Sequence, residues 1–213
     1  MASRTFSHPL LRPLATLASA IAVAVLLHSC GADSPRNGVV VSVKDQKMLL
    51  VKNGSPIKTY PVSTSKFGCG DHRGSYCTPI GKMAVAKKIG RGAPAGAVFK
   101  SRRRTGEILR PDAPGRDPIV TRILWLKGTG STRNAFRRYI YIHGTPEERN
   151  IGKRASYGCI RMKSKDVIDL YRHLAVGSKV HVIRGGLART EPGKLLIAQQ
   201  AAAQAAKQPA GGE

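Results

Sequence analysis

Acidic residues are scarce in this chain. Its 213 residues carry 12 Asp and Glu against 36 Lys and Arg, a formal charge of +24. That balance disfavours a basic partner and favours an anionic one: nucleic acid, acidic lipid headgroups or a carboxylate-rich polymer. Aromatic residues are few, 5% of the chain, which leaves little for stacking on unpaired bases. Long apolar runs are missing too. A membrane span needs roughly 20 predominantly apolar residues, and the run Leu14–Leu27 stops at 14. No internal repeat is visible. Hydrophobic residues make up 41% of the chain, enough for a core, so wholesale disorder is excluded. The length fits one domain with appendages.

The short apolar run is informative where it stands. Arg4 and Arg12 precede or border it with no acid nearby, and small residues follow, the pattern of an export signal over residues 1–29. Leu27-His28-Ser29-Cys30 resembles a bacterial lipobox, in which the cysteine is lipidated and becomes the mature N-terminus. Ordinary cleavage after Ala32 is the rival. Removing residues 1–29 takes away two arginines and no acids, so the basicity belongs to the exported part. An exported location, in the periplasm or cell envelope and held to a membrane by the Cys30 lipid, argues against nucleic acid as partner.

Only four cysteines are present: Cys30, Cys69, Cys77 and Cys159. In an oxidising compartment an unpaired thiol needs a reason. One assignment gives Cys30 to lipid, joins Cys69 to Cys77 as a short local bridge, and leaves Cys159 free. Two reduced thiols in a loop are the alternative to the bridge. A metal site from Cys69, His72 and Cys77 would have three ligands at irregular spacing, so no metal is expected.

Residues 30–37 read as a tether. Val39–Val43, Lys47–Lys52 and Ile57–Val62 read as strands, with Asn53-Gly54 a strong hairpin turn. Ser63–Gly81 is irregular, Lys82–Ile89 a strand, and Arg91–Pro118 loop-rich with four prolines and the triplet Arg102-Arg103-Arg104. Ile119–Leu126 is a strand bearing the only tryptophan, Trp125, read as core. Tyr139–Ile142 is another strand. The spacing of Val167, Ile168, Leu170, Tyr171 and Leu174 predicts a helix over 164–174 with Ser164 as N-cap. Lys179–Ile183 is a last strand, and 185–213 an Ala/Gln-rich tail, frayed helix or disordered. The folded unit is thus residues 38–184: mainly β, with one helix just after Cys159.

Two residues in this unit could do covalent chemistry. His143 ends a strand beside Gly144, and Cys159 follows Gly158 within Ser156-Tyr157-Gly158-Cys159-Ile160-Arg161-Met162. Thiol acyl transfer needs a thiolate, a base, an orienter for the base and donors for an oxyanion. Cys159 can supply the thiolate, its pKa lowered by a paired imidazolium and by Arg154 and Arg161. His143 can supply the base, Gly144 an uncovered carbonyl to orient it, and Gly158 exposed N–H groups. His173 and His181 read as structural. A buried cysteine and an incidental histidine are the competing reading.

The stretch resembles the L,D-transpeptidase (YkuD-type) catalytic domain, whose signature is a His-Gly, then Ser/Thr-His-Gly-Cys followed by Ile/Val-Arg-Met/Leu. Ser63–Gly68, Thr78–Met83, Ile123–Leu126 and Tyr139–His143 also resemble that family, so the likeness runs over residues 38–184. It implies a mainly-β fold, a sandwich or barrel-like sheet with one helix after the cysteine. It implies Cys159 as nucleophile, His143 as base and the Gly144 carbonyl as orienter, with Ser156, Tyr157 and Gly158 at the substrate and Arg161 either shaping the site or holding a substrate carboxylate. The implied substrate is peptidoglycan. The thiolate attacks the diaminopimelate–D-Ala bond of a stem peptide, and the acyl group passes to an amine, in cross-linking or in anchoring an envelope protein to the cell wall. No cofactor is implied. Tyr157 departs from the family's histidine, which puts rate, pH profile and acceptor choice in question. With water as acceptor, the same site would be a carboxypeptidase or hydrolase. A non-catalytic basic envelope lipoprotein that binds peptidoglycan is the alternative from another class.

Overall fold

Left-handed turns build the first three strands of the computed structural model, which describes residues 37–207 and Met1. The leader, the Cys30 lipidation candidate, the tether up to residue 36 and residues 208–213 lie outside the described residues. Strand β1 (Asn37–Ser42) pairs antiparallel with β2 (Lys47–Lys52), and β2 with β3 (Ser55–Pro61). Asn53 and Gly54, at φ 51° and 84°, supply the two positive-φ positions that a tight hairpin requires. The β1–β2 turn ends on Gln46, which is buried rather than solvated. Its amide donates to Val43 O and Thr64 Oγ1, each at 2.7 Å, and accepts from Thr64 N–H at 2.8 Å. The turn thereby fastens the irregular stretch that follows β3.

The remaining strands are β4 (Gly81–Ile89), β5 (Ala97–Lys100), β6 (Arg103–Ile108), β7 (Ile119–Gly128), β8 (Tyr141–Gly144), β9 (Ile160–Met162) and β10 (Lys179–Ile183). The mainly-β architecture is realised as one mixed sheet. Its main path is β3-β2-β1-β10-β4-β7-β5-β6, and it branches at β7, which also pairs with β8; β8 in turn pairs parallel with β9. The loop expected over 91–118 contains a hairpin, β5–β6. Its turn residues Ser101 and Arg102 take φ 49° and 68° without glycine, so the usual hairpin signal is absent from the sequence.

Alternation along β7 sorts the interior into two clusters. Leu124 and Leu126 point into the main core with Ile142, Ile160, Met162 and helix residues Val167 and Leu170. Ile123 and Trp125 point the other way, into a smaller cluster with Phe99, Tyr141 and Cys159. Helix α1 (Ser164–His173) packs on β7 and β8 through its apolar stripe. Its N-cap position is Lys163, not Ser164. The Ser164 N–H is capped by the Glu148 carboxylate at 2.8 Å, and the Ser164 hydroxyl is spent on Thr121 Oγ1 at 2.8 Å. In the tail, helix α2 (Glu191–Ala205) starts at the Thr190 cap, whose hydroxyl accepts from Gly193 N–H at 3.1 Å; the helix is largely exposed. No helix among the described residues is long and apolar enough to cross a membrane.

Candidate active site

The parallel pairing of β8 with β9 sets His143 opposite Arg161. Because side chains alternate, Tyr141 and His143 share one face of β8, and Cys159, two residues before Arg161, continues the same face on the neighbouring segment. The sheet therefore gathers the expected base and nucleophile from positions 143 and 159 onto the wall formed by Ile123 and Trp125. Trp125 is a structural part of this wall: its indole stacks on Phe136 at 4.1 Å between centroids, and its N–H donates to Phe136 O at 3.1 Å.

His143 is buried, and its Nδ1 lies 2.8 Å from Gly144 O. A carbonyl only accepts, so Nδ1 carries the proton and Nε2 is left with its lone pair, the tautomer a base needs. Burial pushes the imidazole pKa down to about 4, against the Gly144 hydrogen bond and Asp117, which pull it up, and with Arg161, which lowers it further. Glycine is obligatory at 144, because a Cβ there would stand 2.7 Å from Val120 O and 3.0 Å from Thr121 Cβ. Thr121 itself sits at φ 72° where the β7–β8 register shifts.

Cys159 is half-buried, and its thiol donates to Tyr139 O while accepting from Tyr141 N–H, both at 3.4 Å. Burial pushes its pKa up to about 11, more than Tyr141 N–H, Arg138 and Arg161 can pull it down. Burial therefore works against the expected thiolate–imidazolium pair, favouring the neutral thiol and the neutral imidazole. Arg154 is exposed, and Arg138 takes the part expected of it.

The remaining motif residues divide by exposure. Arg161 does not hold out a free guanidinium to substrate. Only 3% exposed, it pairs with Asp117 and with Glu147 at 3.2 Å. Asp117 also receives the Thr145 hydroxyl. Arg161 is a strut beneath the site, and its Nε is the one enclosed side-chain polar atom without a partner among the described residues. Ser156 is likewise buried, its hydroxyl donating to Cys159 O at 2.6 Å and shaping the turn instead of facing a ligand. Gly158 needs its φ of 117°: a Cβ would meet Cys77 O at 3.2 Å and Ile140 Cδ1 at 3.3 Å. Its N–H is engaged by Ser156 Oγ at 3.3 Å. The Cys159 N–H has no hydrogen-bond partner among the described residues, which makes it the better oxyanion donor. Tyr157 is 60% exposed, its hydroxyl accepting from Lys66 Nζ at 3.0 Å and its ring lying against Phe67 and Tyr76.

The bridge expected between Cys69 and Cys77 is not formed; both thiols are free. Cys69 is in register with Thr78, not with its neighbour Cys77, and packs on the main core. The Cys77 thiol instead donates to Phe67 O at 3.2 Å. The loop is braced by Arg138, whose guanidinium is 3.0 Å from Asp71 and donates to Gly70 O and Cys77 O at 3.0 and 2.7 Å. Asp117, Glu147, Asp71 and Arg138 were not singled out from the sequence. The scarcity of acids was the available signal: in so basic a chain, an acid within reach of the His–Cys stretch is apt to be paired.

Comparison with known proteins agrees in kind. The model of the YkuD family, described as the L,D-transpeptidase catalytic domain, matches residues 36–182. The probable L,D-transpeptidase YcfS of Escherichia coli is 26% identical over 156 residues, 71% of this chain and 45% of that protein. The putative L,D-transpeptidase YqjB of Bacillus subtilis is 46% identical over 142 residues, 67% of this chain and 68% of that one. The chain spans about half the length of the first of these relatives. Among solved structures, L,D-transpeptidase 3 from Mycobacterium tuberculosis with a faropenem-derived adduct aligns at TM-score 0.46 and 19% identity, over 70% of this chain and 60% of that one.

Proposed function

Because the chain belongs to the YkuD family of L,D-transpeptidase catalytic domains, we propose that it performs acyl transfer on peptidoglycan stem peptides, with Cys159 as nucleophile and His143 as base. The observation that carries the reading is the Nδ1–H bond from His143 to Gly144 O, on the sheet face that also bears Cys159. It leaves Nε2 as proton acceptor and holds the ring in place. No hydrogen bond joins the two side chains at rest, and such contacts commonly tighten only with substrate bound.

The chemistry follows from the neutral pair. As the Cys159 sulfur attacks the diaminopimelate carbonyl, its proton passes to His143 Nε2, and negative charge develops on the carbonyl oxygen. The Cys159 N–H is available to that oxyanion. Collapse breaks the C–N bond to D-Ala, whose amine takes the proton from Nε2, and a thioester remains. An acceptor amine then attacks the thioester and gives its proton to Nε2, and the thiol is restored when the sulfur leaves and recovers it. Starting from a thiol instead of a thiolate delays charge separation until substrate has displaced water, when the buried site can stabilise it with fixed dipoles.

Such a substrate lies in the cell envelope, so the reading carries with it export by the segment 1–29, with Cys30 as the candidate for a lipid anchor and cleavage after Ala32 as its rival. The test is incubation of purified protein with a disaccharide–tetrapeptide and mass spectrometry of the products. Cross-linked dimer with D-Ala release is expected from the wild type, and neither from Cys159→Ala. Products that persist in Cys159→Ala would sink the reading. D-Ala release without dimer would reassign the acceptor to water.

A further inference from the structure

A second concentration of charge lies away from the His–Cys site, in a cavity of about 750 Å³. The end of β4 and the loop after it contribute Lys88 and Arg91, the irregular part of β7 contributes Arg122, and α1 contributes Ile168, Tyr171 and Arg172. Four cations thus line one cavity with no carboxylate among the lining residues, and none of the four forms an ion pair among the described residues. This contrasts with Arg138 and Arg161, which are both matched with acids in a chain that has few.

Two of the four cannot swing away. Lys88 Nζ donates to Tyr171 O at 2.7 Å and to Leu174 O, and lies 4.2 Å from the centre of the Tyr171 ring. Arg122 is 8% exposed; its guanidinium lies 5.6 Å from the centre of the Tyr171 ring, its Nη1 donates to Ala93 O and Thr121 O, both at 2.6 Å, and its Nη2 and Nε have no hydrogen-bond partner among the described residues. Neither nitrogen is sealed from solvent, so both remain open to a ligand. The crowding is felt within the cavity. Burial first and then Arg91 depress the Lys88 pKa, and burial and Arg172 act in the same direction on Arg122. Lys88 and Arg122 have backbone partners that give them a structural use. Arg91 and Arg172 make no side-chain hydrogen bond or ion pair among the described residues and are exposed.

The geometry points to a binding site for a phosphoryl oxyanion, either free phosphate or a phosphomonoester group, held by the Arg91, Arg122 and Arg172 guanidinium groups in the cavity that Lys88 also lines. A monoanionic carboxylate would leave about three of the four charges uncompensated, whereas a phosphoryl group carries up to two at neutral pH. Guanidinium forks match its oxygens bidentately. Ile168 and the Tyr171 ring give an apolar wall for whatever the phosphoryl group is attached to. This site is independent of the acyl-transfer reading and stands whether or not Cys159 reacts.

The test is calorimetric titration of the full-length chain with inorganic phosphate at constant ionic strength, alongside thermal melting. Wild-type protein should bind phosphate and gain melting temperature with it. Arg91→Gln/Arg172→Gln should lose at least about tenfold in affinity, while melting as the wild type does without phosphate. Arg103→Gln/Arg104→Gln removes the same charge from the edge strand β6 and should leave binding unchanged. Equal loss in both double variants, or an equal melting shift from acetate, would overturn the site. Two further arms identify the source. Vesicles of phosphatidylcholine with phosphatidic acid, bound by wild type, lost in Arg91→Gln/Arg172→Gln and competed by phosphate, mark a lipid headgroup. Phosphate binding with vesicle binding equal in the two proteins marks a soluble phosphoryl ligand.

Discussion

Arg161, the register partner of His143, is ion-paired with Asp117 inside the fold. Their charges act on the imidazole in opposite senses and offset each other, which leaves burial and the Gly144 hydrogen bond as the larger influences on the base. The arrangement separates the two roles that an arginine in the motif could have.

Removing one partner of a buried ion pair leaves the other charge unpaired and costs about 3–5 kcal/mol. Arg161→Ala is therefore expected to lower stability by that order in urea denaturation, with the substrate KM of the surviving folded enzyme little changed. Unchanged stability with a raised KM would instead make Arg161 a substrate ligand.

His143 gives stability a definite dependence on acid. Its folded pKa of about 4 lies below the ordinary histidine value of 6.5, so the unfolded chain binds a proton that the native state refuses. The contribution is fully present above about 6.5 and is lost as pH falls toward about 4, worth ~3 kcal/mol in all. His143→Asn keeps a donor for Gly144 O but does not titrate. Denaturation of both proteins from pH 7 to 4 should show the variant losing less stability, by that amount. Parallel curves would contradict burial as the cause.

The Cys159 thiol, raised to about 11, should react with iodoacetamide slowly at pH 7 and gain about tenfold per pH unit until the thiol titrates. Peptide mapping by mass spectrometry separates it from Cys69 and Cys77. A midpoint below about 7 would mean that the resting site holds a thiolate after all.

Arg138 and Asp71 do the bracing expected of a disulfide. Arg138→Ala should cost about 3–5 kcal/mol as a broken buried pair and expose backbone amides of residues 69–78 to hydrogen exchange. Cys69→Ser/Cys77→Ser should leave that exchange nearly as it was. If the cysteine variant loosens the loop and the arginine variant does not, the assignment is reversed.

Much of the fold could be read from local pattern. The strands 47–52 and 179–183, the Asn53-Gly54 turn and the stripe of α1 lie in short windows whose period and turn chemistry are self-contained. The β5–β6 hairpin escaped because its turn uses Ser101 and Arg102 at positive φ, which no sequence rule flags. The α1 cap escaped because Glu148, which supplies it, sits 16 positions away.

For the site, the residue types alone determined which groups could react. A histidine beside a glycine at a strand end, and a cysteine after a glycine, are chemical facts of the chain. Their protonation was decided only by the tertiary structure. The sequence suggested a thiolate, from a paired imidazolium helped by Arg154 and Arg161, which stand close to Cys159 along the chain. Folding commits Arg161 to Asp117, 44 positions distant, and Arg138 to Asp71, 67 positions distant. Both arginines still pull the thiol pKa down, but less than burial raises it. Desolvation is a property of what surrounds an atom in space, which the order of residues does not specify.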